Sequence, residues 1–225
     1  MNKTELSSVN IKKEALRRPG RPKSSEKAEA IQEAAAQLFM TEGLERTSMD
    51  AIAAAAGVSK QTVYSHFQSK EDLFRSCVTG KTRSYGLDAS KLDADATLDD
   101  SLRYVGRQYL TLLCDKGVIC MFRLMIAEAN SFPKLVKSFH ESGPGATVDL
   151  VTKLMASHLP GGAKNAALAA QVAKEFLALV RRDYFLELML GMRKSIPAEE
   201  ILTHVRHCVV QIRKLYPLGD RRSDA

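Results

Sequence analysis

The sequence predicts an all-α protein: an N-terminal three-helix domain followed by a larger C-terminal helical domain. Three observations carry this. Apolar residues recur at helical spacing from Ile31 to Leu215, glycines and prolines fall between those runs, and no stretch alternates with the period of a strand. We expect a basic flexible arm over 1–23, a compact domain over 24–85, a second over 86–217 and a polar tail over 218–225.

The arm comes first. Residues 1–23 hold seven Lys and Arg against Glu5 and Glu14, a net +5, so most of the chain's formal charge of +7 sits there. Within it, Arg17-Arg18-Pro19-Gly20-Arg21-Pro22-Lys23 has two prolines and a glycine that forbid helix and favour an extended segment. An extended arginine suits a narrow A·T minor groove, and the Gly-Arg-Pro core resembles an AT-hook, with Arg18, Arg21 and Lys23 as candidate DNA contacts. A solvated tail with generic phosphate attraction is the alternative.

Next, Ile31, Ala35, Leu38 and Phe39 make one amphipathic helix that stops near Gly43. Thr47 with Asp50 three residues on has capping-box spacing, so a second helix is expected to start at Thr47. Met49, Ile52, Ala53 and Ala56 line one face of it, and Gly57 ends it, because glycine takes a left-handed backbone at little cost. Ser59 caps a third helix in which Val63 and Phe67 point inward, while Lys60, Gln61, Tyr64, Ser65 and Gln68 share the other face. Ser69 with Asp72 starts a further helix carrying Leu73, Phe74, Cys77 and Val78.

Two short helices around a glycine-containing turn match the helix-turn-helix, whose second helix enters the major groove with its N-terminal residues on base edges. Lys60 and Gln61 hold that position. An ordinary helical hairpin with a solvated polar face is the competing reading.

The order AxxxGVSxxTVYxHFxSKEDLF, preceded by the helix around Ile31 to Phe39, resembles the N-terminal domain of the TetR family of transcriptional regulators over roughly Ser24 to Cys77. The resemblance implies that Thr47 and Ser48 meet phosphates; Ser59, at the start of the recognition helix, is a candidate DNA contact beside them. It further implies that Lys60, Gln61 and Thr62 face bases and backbone, and that Tyr64, His66 and Lys70 grip the phosphate chain. Hydroxyls and cations suit phosphate oxygens, while Lys suits guanine and Gln suits adenine edges. Gln61 stands where many members carry Gly or Pro. For His66 a capping or packing role competes, and for Tyr64 a half-buried core position.

Beyond Tyr85 a polar stretch from Asp88 to Asp100 separates the domains. Leu98, Leu102, Val105, Tyr109 and Leu112 then mark one helix, and Val118, Phe122, Met125 and Ala129 another, ended before Pro133. Leu135 and Phe139 precede an expected break at Gly143-Pro144-Gly145, after which Val148, Val151, Leu154 and Met155 resume the period. A long helix is expected from Ala163 to Met192, and a last one after Pro197, closing at Pro217. The last two look apolar on more than one face, which suits pairing with a second copy in a four-helix bundle.

Tyr109, Met121, Phe122, Met125, Phe139, Met155, Phe176 and Phe185 supply rings and thioethers expected to line an apolar effector cavity, with a well-filled core as the alternative. The segment from Phe122 to Phe139 resembles the C-terminal domain of AefR-like TetR regulators, which implies ligand binding and dimerisation. Arg123, Glu128, His140 and Asp183 are candidates to orient a ligand or to stand in surface ion pairs.

A chain of 225 residues with 45% hydrophobic content supports a globular core. No apolar run approaches a membrane span and no signal-peptide core follows Met1, so a soluble cytoplasmic protein is expected. Cys77, Cys114, Cys120 and Cys208 lack CxxC spacing and read as reduced core residues, with a thiol sensor at Cys114 and Cys120 as the alternative. His204, His207 and Cys208 share a face that would suit a soft metal, but no further ligand is in view, so no metal and no cofactor are expected. No GxSxG, P-loop, HExxH or GxGxxG occurs, which argues against those enzyme classes. The expected partners are double-stranded operator DNA, a small-molecule effector and a second copy of the chain. A binding protein without operator use and an arm-driven binder of AT-rich DNA are the alternatives.

Overall fold

The computed structural model describes residues 23–93, 95–159, 162–216 and 218–219. Ten α-helices are found among them and no strand: α1 (Lys23–Glu42), α2 (Met49–Ala55), α3 (Lys60–His66), α4 (Lys70–Ser84), α5 (Leu98–Leu113), α6 (Lys116–Ala127), α7 (Pro133–His140), α8 (Ala146–Ala156), α9 (Ala166–Leu190) and α10 (Ala198–Leu215). No described helix is long and apolar enough to cross a membrane.

Local chemistry sets most helix ends. Ser59, Ser69 and Thr97 cap α3, α4 and α5 by accepting the backbone amides of Thr62, Asp72 and Asp100. Gly57, at φ +66°, turns the chain between α2 and α3. One expected cap is corrected. Ser48, not Thr47, caps α2, its hydroxyl accepting from Ala51 N at 3.1 Å. Thr47 is 1% exposed and its hydroxyl and amide both donate to the Gly43 carbonyl, a bond that closes the turn after α1.

The expected break at Gly143-Pro144-Gly145 is also corrected. Glu141–Gly145 form a widened π-turn that carries α7 into α8. Pro144 has no amide to donate, and a turn of wider pitch accommodates that loss without ending the helical path. The tail differs at its start too. Leu218 is buried, and the Gly219 amide donates to the His158 carbonyl at 2.9 Å.

Two apolar cores result. The larger joins α5, α8, α9 and α10, with Phe176, Leu110, Val105 and Met155 fully enclosed. Gly106 lets α5 approach α9 and α10, since a Cβ there would stand 2.7 Å from Val205 Cγ1 and 3.2 Å from Phe176 Cζ. The smaller core is built from Ile31, Phe39, Ile52, Val63 and Phe74, and it takes in Met125, Leu135 and Phe139 from α6 and α7. The N-terminal core is therefore completed by helices that the sequence assigns to the second domain. A line of rings marks the join: Phe39 meets Phe74 at 5.7 Å, Phe74 meets Phe139 at 6.5 Å, and Phe139 meets Phe122 at 5.0 Å.

Within α9, Arg182 leaves helical geometry at φ +31°, and His204 Nε2 lies 3.1 and 3.0 Å from the carbonyls of Leu179 and Val180. Two carbonyl acceptors require that this nitrogen carry a proton, which removes it from metal binding. Among the described residues no cluster of three or more His, Cys, Asp or Glu fits a metal. The cysteines are free thiols, but Cys120 is exposed and so is not the core residue expected. Burial pushes the Cys77 thiol up to about 12 and Cys208 to about 11, which keeps both protonated.

Candidate nucleic-acid interface and ligand cavity

α3 is anchored from below by Val63 and Phe67, both buried, so its opposite face is held outward by packing. That face presents Lys60, Gln61, Tyr64 and Ser65, all exposed, with Tyr64 at 47%. Ser59 Oγ stands 2.8 Å from Thr62 Oγ1, so hydroxyls and free amides gather at the helix start where its dipole is positive. Ser48 is exposed at the start of α2.

Lys60 Nζ pairs with Asp50 Oδ1 at 2.8 Å, both side chains being about 60% exposed, at 60% and 63%. The hydrogen bond and charge of Asp50 raise the lysine pKa and keep it a cation. A solvated pair of this kind is worth little, so phosphate or a guanine edge can take Lys60 from Asp50 at small cost.

Lys70 has backbone partners that the sequence did not announce. Its Nζ donates to the carbonyls of Thr47 at 3.0 Å and Glu45 at 3.2 Å, tying α4 to the loop before α2. His66 is half-buried, its ring tilted against Phe67 at 6.2 Å. Thr47 is removed from the expected contacts, because its side chain is buried and both its donors are used. Arg18 and Arg21 lie outside the described residues, and of Lys23 only the helical backbone is described.

The apolar cavity lies between the domains instead of inside the C-terminal one. Its volume is about 150 Å³. α1 and α4 wall one side through Met40, Cys77, Val78 and Lys81; α5 and α6 wall the other through Tyr109, Leu113, Met121 and Phe122. Phe139, Gly143 and Thr147 close it. Of the eight residues expected there, Tyr109, Met121, Phe122 and Phe139 line it. Met125, Met155 and Phe176 do not: at 2%, 0% and 0% exposed they fill the two cores, where helical spacing buries them against neighbours. Phe185 stands behind Phe122, ring to ring at 5.0 Å. Arg123 is structural as well, donating to the Leu188 and Met189 carbonyls at the end of α9.

A node beside the cavity escaped the sequence reading. Asp115 caps α6 by accepting from Val118 N at 3.1 Å, while its Oδ2 accepts from Lys81 Nζ at 2.8 Å and Tyr85 Oη at 2.7 Å. Burial opposes the charge of Asp115, yet the bonds from Lys81, Tyr85 and Val118 outweigh it and hold the carboxyl below its usual range. Burial and the same carboxylate push Tyr85 up to about 12. The available signal was an Asp just ahead of the apolar run from Val118, an N-cap pattern.

Comparison with known proteins agrees with this geometry. Residues 31–77 match the family described as bacterial regulatory proteins, tetR family, and residues 100–216 match the AefR-like transcriptional repressor, C-terminal domain. Over 60 residues the chain is 38% identical to the HTH-type transcriptional repressor BepR of Brucella suis biovar 1 (strain 1330), a match spanning 27% of this chain and 28% of BepR. The solved structure of the flavonoid-responsive regulator FrrA is 32% identical, with a TM-score of 0.64 over 85% of this chain and 97% of that one. A TetR-family regulator from Mesorhizobium loti MAFF303099 shares the fold at 24% identity, with a TM-score of 0.65 over 87% and 99% of the two chains. Matched through both its helix-turn-helix and its C-terminal half, the chain belongs to the TetR family of transcriptional regulators.

Proposed function

We propose that the protein is a homodimeric, cytoplasmic repressor that reads its operator with α3 and is released when a small apolar or amphipathic effector enters the cavity walled by α4. The observation that carries this is the exposed polar face of α3, Lys60, Gln61 and Tyr64, fixed outward by Val63 and Phe67 behind it. Pairing of two copies is supported by Leu186, Leu190, Leu202, Val210 and Leu215, large apolar residues that α9 and α10 leave 44–65% exposed. Such a dimer sets its two recognition helices about 34–36 Å apart, one turn of DNA.

Effector control follows from the cavity's walls. α4 begins just after α3 and reaches the cavity at Cys77 to Thr82, so a ligand that favours one placement of α4 also favours one placement of α3. The rings of Phe122 and Phe139 at the cavity suit an aromatic effector, in keeping with the flavonoid response named for FrrA.

Genome-wide occupancy would supply the operator, and gel shifts on that fragment then test the reading. Tyr64→Ala should weaken binding about tenfold or more while the unfolding midpoint stays put. Unchanged affinity would refute the α3 docking, and loss of all sequence preference in the wild type at raised salt would assign binding to the arm instead.

A further inference from the structure

We propose that Lys81 reads the effector, which is an apolar, ring-containing molecule bearing one anionic oxygen, and that this anion competes with Asp115 for the Lys81 ammonium. The inference rests on the interdomain cavity being the effector site.

Among the described residues lining the cavity, Lys81 carries the single formal charge; the other walls are aliphatic, aromatic, thioether, thiol or hydroxyl. The threonine hydroxyls offer no protons, because Thr82 Oγ1 donates to the Val78 carbonyl and Thr147 Oγ1 to the Gly143 carbonyl. An anion cannot enter such walls unpaired, since its lost hydration must be replaced by charge and hydrogen bonds. Lys81 supplies the charge that replaces it; Tyr109, the remaining hydroxyl of the lining, is neutral and already has the Arg181 guanidinium as a partner. An ammonium has three protons, and Asp115 Oδ2 engages this one at 2.8 Å from outside the lining, leaving donor capacity toward the cavity.

The competition arises because two carboxylates on one ammonium repel each other. Asp115 is also the acceptor for Tyr85 and the cap of α6, so it joins α4 to α6 at one point. An anion that draws Lys81 inward loosens this joint from the α4 side. A neutral ligand of the same shape fills the cavity and leaves the joint closed. Acid and neutral analogues are thereby distinguished at Lys81, and the charge of the ligand becomes the signal that α4 receives.

Calorimetric titration of the full chain with 2-naphthoate and its uncharged analogue 2-naphthamide tests this. The wild type should bind the acid about tenfold tighter or better, the worth of one charge-assisted hydrogen bond. Lys81→Met should bind both alike. Asp115→Asn, which keeps an oxygen to cap α6, should tighten the acid severalfold and leave the amide unchanged. Equal binding of the two probes by the wild type, a preference surviving in Lys81→Met, or no tightening in Asp115→Asn would overturn the proposal. Met121→Trp, which fills the cavity, separates this from failure of the underlying reading: it should abolish both titrations, and if both persist the cavity is not the site. Absence of binding by either probe to the wild type would overturn both. Circular dichroism and unfolding midpoints confirm that each variant is folded.

Discussion

Lys70 Nζ, at the first residue of α4, lies 3.0 Å from the carbonyl of Thr47, just ahead of α2. With a second bond to Glu45 it clamps the start of α4 to the loop ahead of α2. An ammonium has three protons, so these two bonds leave one for the phosphate contact expected of Lys70.

Lys70→Ala should therefore do two things at once. Loss of two partly solvated hydrogen bonds should lower stability by about 1 kcal/mol, seen as a lower urea midpoint with unchanged slope. DNA affinity should fall beyond what that destabilisation explains. A variant with normal stability would show that the clamp contributes nothing.

Phe74 is fully buried between Phe39 of α1 and Phe139 of α7. Phe74→Ala should cost about 3–5 kcal/mol through the cavity it leaves. Because Met125, Leu135 and Phe139 complete this core, a fragment of residues 24–85 should fail to give a cooperative thermal transition. A sharp transition from that fragment would contradict the shared core.

Gly106→Ala should destabilise by about 1–3 kcal/mol, since the added methyl meets Val205 and Phe176 at sub-contact distances on two other helices. The compensating pair Gly106→Ala with Val205→Ala should recover part of the loss. Chemical denaturation of the single and double variants measures the coupling directly.

The Asp115 joint gives a pH dependence whose sign is set by its carboxyl. Folding lowers this pKa below the ordinary 3.8, so the folded state favours the charged form. The stabilisation is present above the unfolded pKa and is lost as pH falls through the folded one. Wild type should thus exceed Asp115→Asn in stability by a constant margin at neutral pH, and the margin should shrink below pH 3.8. A margin that grows on acidification would contradict the Lys81 and Tyr85 bonds.

The local grammar of the helix-turn-helix was legible in sequence because its causes are local. A serine hydroxyl reaches an amide three residues on, Gly57 turns the chain, and Val63 and Phe67 recur at one helical turn, so the outward face of α3 could be read before any fold was known. Thr47 shows the limit of that grammar: two adjacent hydroxyl residues offered a cap, and the turn after α1 took one of them, leaving Ser48 for α2.

Contacts between distant segments were decided by tertiary packing alone. Spacing marked Met125, Met155 and Phe176 as apolar but could not say which would face a void and which a neighbouring side chain, because that depends on how α6, α8 and α9 cross. In the same way nothing near Asp115 in the chain announces Lys81 and Tyr85, which arrive from α4 and its end 34 and 30 residues earlier. Helix identity follows from short-range hydrogen bonding and periodicity, whereas the cavity and the joint beside it exist only where separate helices meet.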